Sequence, residues 1–79
     1  YYQLGLLLER RREFEGAREA LAKAAKLNPD DPAPHYRLSR VLARLGLRDE
    51  AAAERELHEK LVKSRRDTMQ GMSANEPLP

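Results

Sequence analysis

The chain has 79 residues and a formal charge of +2, with 35% charged and 41% hydrophobic residues. That length holds one small domain or part of one, and 15 basic against 13 acidic side chains do not by themselves direct it to nucleic acid or an anionic membrane. Cysteine is absent, which excludes disulfides, thiolate metal sites and cysteine catalysis, and no apolar run nears the roughly 18–20 residues of a membrane span.

From the N-terminus, Tyr1, Leu4, Leu7 and Leu8 recur at helical spacing and predict a helix over residues 1–11. The charged run Glu9-Arg10-Arg11-Arg12-Glu13 should hold a turn. A second helix is expected over 15–27, with Ala17, Ala20, Leu21, Ala24 and Leu27 facing inward and Phe14 stapling its start. Asn28-Pro29-Asp30-Asp31-Pro32 stops it, since Pro29 cannot continue a helix and Asn28 tolerates a left-handed cap. Asp31 is a good N-cap and Pro32 suits the first position of a third helix, over 32–45, with His35, Leu38, Leu42 and Leu45 inward. Gly46 ends that helix, and Asp49 is expected to cap a fourth over 48–65. Residues 67–79 carry Gly, Ser, Asn, two Met and two Pro without a stripe and read as a flexible tail.

The pattern repeats. Shifted by 34 residues, Tyr2 falls on Tyr36, Leu4 on Leu38, Leu8 on Leu42, Arg10 on Arg44, Ala17 on Ala51 and Leu27 on Leu61. The matches sit where two packed helices need apolar or small residues. Helix four has Lys63 at the place equivalent to Pro29, so it can run on past the repeat boundary.

Tyr1, Leu4-Gly5, Leu8, Ala17, Leu21 and Pro29 stand at the spacings of the tetratricopeptide repeat, and the first unit resembles that family closely. The second unit keeps His35, Leu38-Ser39, Leu42, Gly46 and Ala51, then departs at Arg55 and His58, where the family has a bulky apolar residue and a small one. Arg12 stands where the family often has Gly. The resemblance covers about residues 1–62. It implies an all-α fold, an alpha-alpha superhelix of two antiparallel helix pairs. Repeat one would span 1–31 and repeat two 32–65, in a domain of 1–66 followed by the tail 67–79. Gly5 and Ala17 would be small to let helices cross closely. Arg55 and His58 make the extended last helix a polar cap at the C-terminal end of an array. The leading face would be bare, with Tyr2, Leu6, Leu7 and Phe14 as its apolar area. The chain opens on Tyr1-Tyr2 without an initiator Met, so it reads as a piece whose missing repeats, or a second copy, cover that face.

The resemblance implies protein–protein interaction through a concave groove lined by the first helix of each pair. Its positions here are Tyr2, Leu6, Glu9 and Arg10, then Ala33, Tyr36, Arg37, Arg40 and Arg44. Helical spacing independently puts Ala33, Arg37, Arg40 and Arg44 on one face, opposite Leu38, Leu42 and Leu45. Guanidinium forks suit carboxylates, so the expected partner is a protein or peptide, acidic or with a free C-terminal carboxylate. A chaperone-tail clamp is not expected, because Gln3 and Ala33 replace its Asn and Lys and only Arg37 matches. The alternatives are self-association as a homodimer and, more weakly, nonspecific nucleic-acid binding through the arginine face or Lys63-Ser64-Arg65-Arg66. Met69 and Met72 read as part of a flexible end. No enzyme activity, cofactor or metal is expected. His35 occupies an aromatic packing site, His58 and a neighbouring Glu do not make a metal site, and Ser39 has no adjacent His. The compartment stays open, with the cytoplasm slightly favoured.

Overall fold

A computed structural model describes residues 1–74, with side chains to residue 68. Four helices follow one another: α1 Tyr2–Arg10, α2 Phe14–Leu27, α3 Pro32–Arg44 and α4 Arg48–Ala74. Among the described residues there is no strand. Each helix packs on the next in the chain, and α1 also meets α3. Three-residue turns make α1–α2 and α3–α4 into antiparallel hairpins, and α2 nests against α3 to join them.

The two turns are built alike. Arg12 N–H donates to Glu9 O and Glu13 N–H to Leu8 O, at 3.0 and 2.9 Å. Gly46 N–H donates to Ala43 O and Leu47 N–H to Leu42 O, at 3.1 and 2.9 Å. These paired bonds are those of a Schellman cap, which needs a left-handed residue at its centre. Gly46 has φ 82° and Arg12 has φ 61°. Every bond of one turn maps onto the other by a shift of 34 residues, so the periodicity of the sequence is also a periodicity of the backbone.

The core is small and aliphatic: Ala17, Leu21, Leu38, Val41, Leu42 and Ala51, with Tyr2, Leu8, Phe14, Leu45 and Leu47 packed against it. Gly5 is buried, and its smallness serves a side chain. A Cβ there would come within 2.6 Å of Leu21 Cγ and Cδ2, so α1 approaches the α2 leucine rather than its backbone. Buried Ser39 donates its hydroxyl to Tyr36 O at 2.6 Å, which satisfies the polar group inside the crossing. At the head of α3, Asp31 accepts from Ala33 N–H at 3.0 Å and Pro32 takes the first helical position, as the sequence predicts.

Several expectations are corrected. Leu27 is 72% exposed, so α2 ends its inward stripe at Ala24. Phe14 is the first residue of α2 and packs on the core rather than preceding the helix. Asp49 lies inside the first turn of α4, where it complements the helix dipole instead of capping. The exposed apolar strip of α1 is Tyr1, Leu4 and Leu7. Tyr2 and Phe14, assigned to that strip from the sequence, lie on the core side. Finally, α4 continues past residue 65 to Ala74. No proline interrupts it, and its run of Ala, Glu, Lys and Arg favours helix without an apolar stripe. The first part of the expected tail is therefore helical. Residues 75–79 and the side chains of Met69 and Met72 lie outside the described residues.

Candidate interaction cleft

The side-by-side placement of α1 and α3 opens a cleft of about 280 Å³ between them. Helical spacing aims its walls. Leu6, Glu9 and Arg10 lie on one face of α1, and Arg37, Arg40 and Arg44 on one face of α3. Arg12 from the α1–α2 turn and Phe14 at the start of α2 complete the lining.

Charge in the cleft is one-sided. Five guanidinium groups face a single carboxylate, that of Glu9. Its side chain is 15% exposed and bridges two arginines, with Oε1 4.0 Å from Arg37 Nη1 and Oε2 3.6 Å from Arg40 Nε. Arg10, Arg12 and Arg44 make no ion pair among the described residues. Water screens such exposed groups. A concave wall with few counter-charges still concentrates positive potential at its mouth.

Of the groove residues read from the sequence, Leu6, Glu9, Arg10, Arg37, Arg40 and Arg44 come together here. Tyr2 and Tyr36 do not line the cleft. Tyr2 is half-buried against the core. Tyr36 is 42% exposed, and its ring centroid lies 5.4 Å from that of His58 on α4, with Arg37 Cζ 6.0 Å away. Half-buried Ala33 follows the Asp31 cap. Sequence reasoning missed Arg12 and Phe14 as lining residues. The signal for Arg12 was present, an arginine at a turn position that favours glycine.

The other polar cluster is local. His35 Nδ1 lies 2.6 Å from Glu54 Oε2 and joins α3 to α4. A carboxylate only accepts, so Nδ1 carries the hydrogen. His35 thus bonds across the hairpin, where the sequence suggested packing alone. Among the described residues no three potential metal ligands gather, and no helix is long and apolar enough to cross a membrane.

The family model of the tetratricopeptide repeat matches residues 1–41, which include α1, α2 and most of α3 and hence every lining residue of the cleft but Arg44. No curated protein and no solved structure matches the chain.

Proposed function

Because the chain belongs to the tetratricopeptide repeat family, whose repeats mediate protein–protein interaction, we propose that it holds a peptide or partner protein in the α1–α3 cleft. The observation that carries this reading is the set of five arginines around one half-buried carboxylate, in a cleft with Leu6 and Phe14 for apolar contact. Guanidinium groups recognise carboxylates by paired, charge-assisted hydrogen bonds. Among the described residues three of the five pair with no acid, so the cleft favours an acidic partner. The family is a non-enzymatic interaction module, and the cleft holds no nucleophile–base pair.

Selection from a random peptide display library tests the reading. Acidic sequences should be enriched on the wild-type chain and lost on Arg10→Glu/Arg44→Glu, with the helical circular dichroism unchanged. Enrichment without acidic bias, or equal capture by the variant, would overturn it.

A second reading rests on a separate observation. Tyr1, just before α1, and Leu4 and Leu7 within it are 59%, 46% and 50% exposed, and such a strip suits self-association. Sedimentation over a concentration series should then show a dimer that Leu4→Glu/Leu7→Glu returns to monomer.

A further inference from the structure

The two hairpin turns have the same hydrogen bonds and the same left-handed centre, yet they differ in the residue that occupies it. Gly46 meets that backbone demand without strain. Arg12, at φ 61°, does not, because an L side chain in this region crowds its own carbonyl. The first turn also lacks the apolar contact of the second: Leu42 and Leu47 stand at the positions where a Schellman cap brings side chains together, whereas Leu8 meets the charged Glu13 there. Both departures weaken the turn. The Arg12 side chain lines the cleft.

We propose that Arg12 is a partner-contacting residue, held at a strained turn so that its guanidinium, with those of Arg10 and Arg44, binds adjacent side-chain carboxylates of an acidic segment in a partner protein. The inference rests on the cleft reading above and names the chemistry of its occupant. The left-handed backbone fixes where the side chain leaves the turn, so less freedom is lost on binding than for an arginine on a mobile loop. Glu9 shows within the fold how one carboxylate sits between two of these guanidinium groups, Arg37 and Arg40. Those two are already engaged. The three that pair with no acid among the described residues are Arg10 at the end of α1, Arg12 in the turn and Arg44 at the end of α3, and one carboxylate cannot serve them all, which calls for an acidic run. The same geometry argues against a nucleic acid strand. Phe14 is the one aromatic residue in the lining and is partly covered by the core, and Tyr36 does not line the cleft, so successive bases would find no row of aromatic faces to stack on.

The test is fluorescence anisotropy at about 50 mM salt. The probe is a labelled peptide of about twelve residues, acetylated and amidated, with Glu-Asp pairs around a central Leu. Arg12→Gln keeps the strain and removes the charge. It should weaken binding about fivefold and leave the thermal midpoint in place. Arg12→Gly should weaken binding equally and raise the midpoint by about 4 °C or more. Arg11→Gln, next in the chain but outside the cleft lining, removes the same net charge and should change binding less than about twofold. Equal losses for Arg11→Gln and Arg12→Gln would reduce the effect to net charge and overturn the proposal. Full binding by Arg12→Gln, alongside loss by Arg10→Glu/Arg44→Glu, would overturn it while the cleft reading stands. No binding of the peptide to the wild-type chain would overturn both the proposal and the acidic-partner reading. Displacement of the peptide by a single-stranded oligonucleotide of equal charge, at lower concentration than unlabelled peptide, would replace the proposal with nucleic-acid binding. An unchanged or lower midpoint in Arg12→Gly would overturn the claim that the turn is strained.

Discussion

At the scale of single residues, the tightest constraint is between Gly5 and Leu21. Leu21 is fully buried, so it has no room to retreat. A methyl group at position 5 would lie 2.6 Å from Leu21 Cγ, the branch point of that side chain. Alanine gains about 1 kcal/mol over glycine as a helix former, while overpacking a filled core costs about 1–3 kcal/mol. Gly5→Ala is therefore expected to lose stability by about 1 kcal/mol. Urea denaturation measures it, and a higher midpoint for the variant would contradict the packing. The need for a small residue at this position was legible from the Leu-Gly pair. The reason for it was not, because the spacing of residues along α1 does not say whether backbone or side chain fills the gap.

Among the helices and turns, what the sequence reveals depends on whether the cause is local. The α3 start was readable because Asp31 and Pro32 act within one turn of themselves. The stop at Asn28-Pro29 was readable for the same reason, but Asn28, expected to take a left-handed cap, has φ −139°, so Pro29 and not a left-handed cap accounts for the stop. The end of α4 was not: a charged, alanine-rich stretch can stay helical with no partner face, and periodicity detects only faces that are buried. The exposed strip of α1 was placed correctly at Leu7 but wrongly at Tyr2 and Leu6, where Tyr1 and Leu4 are the exposed residues, because three apolar residues in succession, Leu6-Leu7-Leu8, fit more than one helical phase. The cleft was legible on α3, where Arg37, Arg40 and Arg44 share a face. The part of it lined by Arg12 was hidden in a turn, since the position of Arg12 depends on a backbone angle. Gly46 supplies the control for that angle. An added Cβ at Gly46 would meet nothing within 4 Å, so any effect of Gly46→Ala comes from the left-handed φ alone. The variant should lose about 1 kcal/mol, read as a lower thermal midpoint. An unchanged midpoint would mean that neither turn is strained by a side chain.

For the molecule as a whole, stability follows from a linear order of contacts. Helices α2 and α3 are flanked on both sides, whereas α1 and α4 are each held mainly by one neighbour. The fully buried Leu21 and Val41 belong to the two inner helices. In a stack whose elements touch only their neighbours, local opening is easiest at the ends. Helix α4 is 27 residues long, about 40 Å, against 13 residues and about 20 Å for its partner α3, so only part of α4 can be covered. The cleft spans one inner and one outer helix, and its α1 wall therefore sits on the element that opens more readily. Amide hydrogen exchange should show the greatest protection around Leu21 and Val41 and markedly faster exchange in α1. Binding of an acidic peptide across the cleft should slow exchange in α1 more than in α2, because a ligand stabilises the state that binds it and the largest margin lies in the helix that opens first. If α1 exchanged as slowly as α2 in the free chain, the four helices would open as one unit. The peptide could then not slow α1 selectively.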